Sequence, residues 1–303
     1  MNNKTIDITN AELVMEDIID DLIDFYDTKP ITMFDDKKQV PSVDEVNKII
    51  DDLKKIVFPS YFSQVKVNKE NAHEHLKKML FDLDDKLNKQ IRLAMLFCKK
   101  QDCDEKHLKS ICDQFIGSIP KLQNLILKDA RMIFDGDPSA VNLEEIIISY
   151  PGFYAIFVYR FAHALYQLKV PIIPRMMTEL AHSKTGIDIN PGAVIGDNFF
   201  IDHGTGVVIG ETAVIGDYVK IYQGVTLGAL STHKGQLLAG VKRHPTLKDN
   251  VTIYANATIL GGETVIGRNV VIGGNTFITS SVADGIKVSI KKPELEFTEF
   301  SKK

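Results

Sequence analysis

The feature that most constrains this chain is a beat of six. From Ile189 an aliphatic residue returns at every sixth position, through Ile195 and Ile201, and again at Ile209, Ile215, Ile221 and Leu227. Most of these residues have a small or apolar partner two positions earlier: Ala193/Ile195, Phe199/Ile201, Val207/Ile209, Ala213/Ile215, Val219/Ile221 and Val225/Leu227. After an interruption the pairs resume as Val251/Ile253, Ala257/Ile259, Thr264/Ile266, Val270/Ile272 and Thr276/Ile278. Two inward residues around one outward residue describe a very short strand. Gly, Asp or Asn between the pairs describes a turn. Strands this short bury nothing alone, but stacked coils bury one continuous apolar column. The pattern predicts a parallel β-helix with three hexapeptides to a coil and somewhat more than four coils.

The rhythm breaks twice. The step from Ile201 to Ile209 is eight, and the two extra residues fall within "DHGTG", residues 202–206. The second break is "GALSTHKGQLLAGVKRHP", residues 228–245, too polar and Gly-rich for a coil. A loop longer than about 12 residues thrown out of a regular scaffold is usually functional. Functional sites are also where consistency of pattern is expected to fail.

Ahead of the coils the pattern is helical. In "PSVDEVNKIIDDLKKIVFP" Ser42 and Glu45 form a capping box, Val46, Ile49, Ile50, Leu53, Ile56 and Val57 follow at helical spacing, and Pro59 ends the run. "NAHEHLKKMLFDLDDKLNKQIRLAMLFCKK" and residues 111–134 supply further helices, and the segments 143–149 and 153–168 are apolar helices separated by Pro151-Gly152. The expected fold class is thus α+β: an all-helical domain over 1–183, a β-helix over 184–283 carrying the loop 228–245, and a tail over 284–303. The helical part is expected to cap the open edge of the stack.

Composition narrows the function. The chain has 303 residues, 44% of them hydrophobic and 25% charged, an ordinary globular mix. A net charge of -4 argues against non-specific nucleic-acid binding. The charge is uneven: residues 1–60 hold fourteen acids against seven bases, and 184–291 hold eight against nine. An anionic ligand would therefore prefer the second half. The acidic start reads as solvated helix faces, with a partner surface as the alternative. Cys98, Cys103 and Cys112 have no metal or redox spacing, which fits a reducing cytoplasm. No signal peptide and no run of about 20 apolar residues is found, so a cytoplasmic location and no membrane span are expected.

The residues able to do chemistry cluster at the two breaks. His203 follows Asp202 inside the irregular step and is followed by Gly204 and Gly206, which permit close approach. Histidine is the side chain best matched to general-base work near neutral pH. A base also profits from a carboxylate that orients its ring, and Asp188, fifteen residues earlier, is the candidate. Asp202 points away from His203 if the segment is extended, towards a substrate. Arg243-His244 closes the long loop, and an Arg fork suits a carboxylate. A metal held by His203, His233 and His244 is not expected, because spacings of 30 and 11 match no compact ligand motif.

The motifs "DGDPSA", "YPGFYAIFVYRFAHALY", "TGIDINPGAVIGDNFFIDHGTGVVIGETAVIGD", "YQGVTLGA" and "KRHPT", in this order, resemble those of the serine O-acetyltransferases of cysteine biosynthesis. The match spans roughly residues 137–282. It implies a left-handed coil and transfer of an acetyl group from acetyl-CoA to the hydroxyl of L-serine, with no permanently bound cofactor. It further implies His203 as general base, Asp188 as its orienting partner, and Asp137, Asp202, Arg243 and His244 as the residues that hold serine. Acetyl-CoA would run between coils near Ala229 and Ala255, and the site would lie between subunits of a homotrimer, with a dimer of trimers also open. Another small hydroxyl acceptor, such as homoserine or a sugar, and a non-catalytic trimeric scaffold are the alternatives. The chain ends Phe300-Ser301-Lys302-Lys303 rather than in the isoleucine through which family members dock into cysteine synthase, so that complex is not expected.

Overall fold

The computed structural model describes residues 8–27, 33, 39–98, 104–231, 233 and 235–291; Cys103, two positions of the long loop and most of the tail lie outside them. Two compact units are present, Met1–Val40 and Pro41–Lys303. The first contains helix α1 (Ile8–Asp27), on which Val14, Ile18, Leu22 and Ile23 are exposed.

The second unit begins with half of the expected capping box: the Ser42 backbone N–H donates to Gln90 Oε1 at 2.8 Å, and the Glu45 carboxylate pairs with Lys48 instead. Ser42 is the N-cap of α2 (Val43–Val57), its hydroxyl accepting the Glu45 N–H at 3.3 Å. This satisfies one of the amides that a helix start leaves unpaired. All six apolar residues of the expected stripe are buried. Then follow α3 (Pro59–Phe62), α4 (Ala72–Phe97) and α5 (Glu105–Gly136), the last capped by Asp104 and running through Pro120. α6 (Leu143–Ser149) is capped by Asn142, and α7 (Pro151–Gln167) starts with the proline that separates the two. The last helix, α8 (Ile173–Thr185), was not distinguished by periodicity; it ends at Gly186, whose φ of 69° turns the chain into the coils. Among the described residues no helix is long and apolar enough to cross a membrane.

From Asp188 the chain climbs a β-solenoid. In chain order the strands are β1 (Asp188–Ile189), β2 (Val194–Ile195), β3 (Phe200–Asp202), β4 (Val208–Ile209), β5 (Val214–Ile215), β6 (Lys220–Tyr222) and β7 (Thr226–Gly228). β8 (Thr246–Leu247) to β14 (Lys287–Val288) follow the loop, with β9 at Thr252–Ile253, β10 at Thr258–Leu260, β11 at Val265–Ile266, β12 at Val271–Ile272 and β13 at Phe277–Ile278. All pairings are parallel and form three faces: β1-β4-β7-β10-β13 (face one), β2-β5-β8-β11 (face two) and β3-β6-β9-β12-β14 (face three). The expected α+β architecture is therefore present. Every residue of the eleven expected inward pairs is buried. The beat also resumes earlier than expected, because Pro245 and Leu247 are buried as soon as the loop returns.

The first coil has no coil below it, so its carbonyls would face an empty edge. Side chains of α7 satisfy them. Tyr159 Oη donates to Ala193 O (2.6 Å), His163 Nδ1–H to Pro191 O (2.8 Å), and Arg160 to both Ile195 O and Gly196 O (2.7 Å each). Arg160 is also paired with Asp129 of α5, and Asp129 accepts the Phe199 N–H at 2.8 Å. The pair is buried with its partners complete, the condition under which buried charge is tolerated. Burial pushes the Tyr159 phenol up and the His163 imidazole down, so both stay neutral here.

Candidate active site

Pairing across the corner from face three to face one fixes which residues cause the eight-residue step. Asp202 pairs with Tyr222, and Thr205 O accepts the Gly224 N–H. The two positions between Asp202 and Thr205 therefore have no counterpart on the next coil: the inserted residues are His203 and Gly204. At the same corner Gln223 O and Ala255 O carry the hydrogen-bond ladder onward to Asn256 and Asn275 without interruption. His203 has φ 56° and Gly204 φ 78°. A left-handed histidine is uncommon, and such strain gathers at functional sites. The His203 side chain is 70% exposed.

That backbone changes one expectation. An extended chain would turn Asp202 and His203 to opposite sides, but the left-handed turn folds the histidine back. Asp202 Oδ1 accepts the His203 backbone N–H at 2.7 Å and lies 3.7 Å from His203 Nδ1. Asp137, at the C-terminus of α5, belongs to the same neighbourhood. Its carboxylate accepts from Tyr150 Oη (2.6 Å) and from Ser139 Oγ (2.7 Å), and these hydrogen bonds, with His203 adding a smaller pull, hold its pKa below the usual range. It lies near enough to the inserted corner to feel the charge of His203. Tyr222, whose ring stacks on Tyr254 with centroids 5.2 Å apart, feels both Asp202 and Asp137.

Asp188 stands on the outward side of face one, beside Val208. Arg175 of α8 is its ion-pair partner at 3.5 Å, and Arg175 also pairs with Glu179. Among the described residues no hydrogen bond or ion pair joins Asp188 to His203. The carboxylates of Asp188 and Glu179 and the ring of His182 lie close enough together to suggest a metal cluster, but the Arg175 guanidinium occupies the same space.

Arg243 and His244 stand elsewhere, at the corner from face one to face two, where the long loop returns. His244 is buried. Its Nδ1 accepts from the backbone N–H of Thr212 (3.0 Å) and lies 2.8 Å from the Thr212 hydroxyl. An amide can only donate, so the ring proton sits on Nε2. Burial, aided by Arg243 and Lys242, lowers the pKa to about 4, so the ring is neutral across the physiological range. Gly210 makes room for it: a Cβ there would lie 2.0 Å from the ring. Thr212 Oγ in turn accepts the Arg243 and His244 backbone N–H groups at 2.9 and 3.1 Å. Arg243 is paired with Glu211, and its guanidinium also donates to Leu238 O. Ala229 leaves β7 at this corner, whereas Ala255 sits at the corner of His203. Within the chain, Asp188 apart, the site residues thus form two groups on opposite edges of face one.

Sequence reasoning missed four residues here. Glu211 and Thr212 lie within the quoted "GETA", and Ser139 within "DGDPSA", so their motifs were visible and their partners were not. Tyr150 likewise opens the quoted "YPGFYAIFVYRFAHALY". Cys112 is buried in the helical core with its thiol pushed up to about 11, which leaves it unreactive.

The coils are thus interrupted once by an exposed histidine and once by a loop that ends in Arg243-His244. No family model matches the chain. A plasmid-borne serine acetyltransferase of Synechococcus elongatus is 43% identical over 225 residues, covering 71% of this chain and 70% of that one. Serine acetyltransferase 1 of Entamoeba histolytica, solved in complex with L-cysteine, superposes with a TM-score of 0.71 at 37% identity over 82% of this chain and 87% of that one. The Neisseria gonorrhoeae serine acetyltransferase in complex with serine gives 0.54 at 28% identity over 81% and 97%. The chain belongs to the serine acetyltransferase family, and it is an acyltransferase.

Proposed function

We propose that this chain transfers the acetyl group of acetyl-CoA to the hydroxyl of L-serine by direct attack, with His203 as general base. The observation that carries the reading is the insertion of His203 and Gly204 into an otherwise regular corner, beside the carboxylates of Asp137 and Asp202. The imidazole takes the serine hydroxyl proton as the oxygen attacks the thioester carbon. The tetrahedral intermediate collapses by breaking the C–S bond, and the imidazolium returns the proton to the departing thiolate. Backbone N–H groups lining the groove stabilise the oxyanion. The Asp137 and Asp202 side chains suit the substrate ammonium, and the Arg243 fork suits its carboxylate. His244, neutral with its proton on Nε2, is a hydrogen-bond donor beside that fork.

Placing these groups around one serine requires more than one chain, because the two groups of residues occupy opposite edges of face one. A homotrimer in which the His203 corner of one subunit meets the Arg243 corner of the next completes the site, and Ala229 and Ala255 then border one acetyl-CoA groove. Asp188 becomes the orienting partner of His203 once Arg175 releases it. L-Cysteine has the ammonium and carboxylate of serine and is proposed as a competing occupant, in keeping with the ligand of the Entamoeba relative.

The test mixes purified protein with acetyl-CoA and L-serine, L-homoserine or no acceptor, and follows thiol release. Release that requires L-serine is expected. Release with homoserine alone would move the acceptor assignment, and no release with any acceptor would return the chain to a scaffold role. His203→Ala should remove release while sedimentation leaves the assembly intact; retained release would overturn the base assignment.

A further inference from the structure

A cavity of about 300 Å³ opens among the helices, away from the coils. This is the lower end of the size range of small-molecule sites. α2, α3, the α6–α7 junction, α7 and the end of α8 enclose it. Its wall is aromatic: Phe58, itself nearly buried, packs its ring against Phe62, Phe153 and Phe157 at centroid distances of 6.0–6.4 Å. Two cations stand at its edge. Lys54 Nζ lies 5.3 Å from the Phe62 centroid and 5.7 Å from that of Tyr154, and Lys184 Nζ lies 5.5 Å from Tyr154. Lys54 is paired with Asp51 at 2.6 Å. Among the described residues, Lys184 donates only to neutral oxygens, Asn47 Oδ1 at 2.9 Å and Tyr154 Oη at 3.3 Å. No carboxylate is among the described residues that line the cavity. Its wall is thus apolar and flat-sided, and its edge carries more positive charge than it neutralises.

We infer that this cavity binds a small amphipathic carboxylate, one apolar ring or branched chain bearing a single carboxylate, with the ring against Phe58 and Phe153 and the anion on Lys184 and Lys54. Tyr150 connects it to the site. Part of Tyr150 lines the cavity while its hydroxyl holds Asp137. Occupancy therefore changes how Asp137 is presented to the serine ammonium; this coupling rests on the proposed function, whereas the binding does not.

The experiment titrates 4-fluorophenylacetate into the full chain and follows its fluorine resonance. Saturable binding is expected, with 2-(4-fluorophenyl)ethanol, which keeps the ring and lacks the charge, bound at least about tenfold more weakly. Lys184→Met and Lys54→Met should each weaken the acid by about tenfold and leave the alcohol unchanged. Ser149→Trp, which fills the cavity, should abolish both, with circular dichroism reporting that each variant is folded. Absence of saturable binding, equal binding of acid and alcohol, or indifference to both lysine substitutions overturns the site. In the transfer assay the saturating acid should shift KM for L-serine at least threefold in the wild type and not in Tyr150→Phe (a threefold shift is about 0.65 kcal/mol). An unchanged KM overturns the coupling alone, and a failed assay leaves the fluorine titration to decide the site.

Discussion

Two corners break the coil rhythm, and they do so in opposite ways. At the corner from face three to face one, two residues are added whose backbone is tied to Asp202 while the side chain is not: the His203 and Gly204 N–H groups donate to Asp202, and the His203 ring is mostly exposed. At the corner from face one to face two a long loop is added, yet the residues at its return are locked. Thr212 holds the backbone of Arg243 and His244 and fixes the imidazole tautomer, and Glu211 pairs the guanidinium. A proton-transfer group must reach a reacting atom and exchange a proton, so it is left unencumbered. A recognition group gains from being ordered before the ligand arrives. Under the proposed function the same scaffold supplies both, by how much extra chain is inserted and what it is tied to.

The strongest way to break this contrast is to delete His203 and Gly204 together, restoring a six-residue step. Transfer should fall by at least about 10²-fold, while the melting temperature stays level or rises because the left-handed residues are gone. A large fall in melting temperature would show that the insertion supports the coil. Next in size is Arg243→Met, which should raise KM for L-serine by about 10- to 100-fold with kcat nearly kept. A loss confined to kcat would mean that Arg243 acts on the transition state and not on recognition. Thr212→Val removes one acceptor shared by two amides and should cost about 1–3 kcal/mol in urea unfolding. An unchanged midpoint would show that the loop orders itself without it. The smallest effect is a pH dependence. The folded pKa of His244 lies below its unfolded value of 6.5, at about 4. The unfolded chain therefore takes up a proton that the folded chain refuses, and stability falls as pH drops from 6.5 towards 4. The loss should be measurable as a steeper acid-side decline of the urea midpoint in wild type than in His244→Asn.

The coils were legible because their information is local and repeated: each inward pair is decided within three residues, and all eleven are buried where the beat puts them. The stumble at 202–206 was legible for the same reason, since a departure is visible only against a regular background. Which two residues were extra was not, because Asp202 pairing with Tyr222 is a relation between coils. Nor was the side on which Asp202 falls, which depends on one dihedral angle at His203. Tyr150 stood at the head of a quoted motif, but its partner could not be read there; it hydrogen-bonds Asp137, thirteen positions away across a helix boundary. α8 begins between prolines on both sides of Ile172 and Ile173, and Pro174 occupies a permitted first-turn position.

The side chains of Tyr159, Arg160 and His163 that complete the first coil come from α7, just ahead of that coil in the chain. Ribosomal synthesis delivers about 5–20 residues per second from the N-terminus. The platform therefore emerges first, and each rung leaves the exit tunnel with its template already in place. Every strand from β4 onward finds its partner a single coil behind, apart from the delay while the long loop is made. The order of translation is the order of the stack, so the chain can wind itself up as it is born and never needs to expose a long unpaired strand edge.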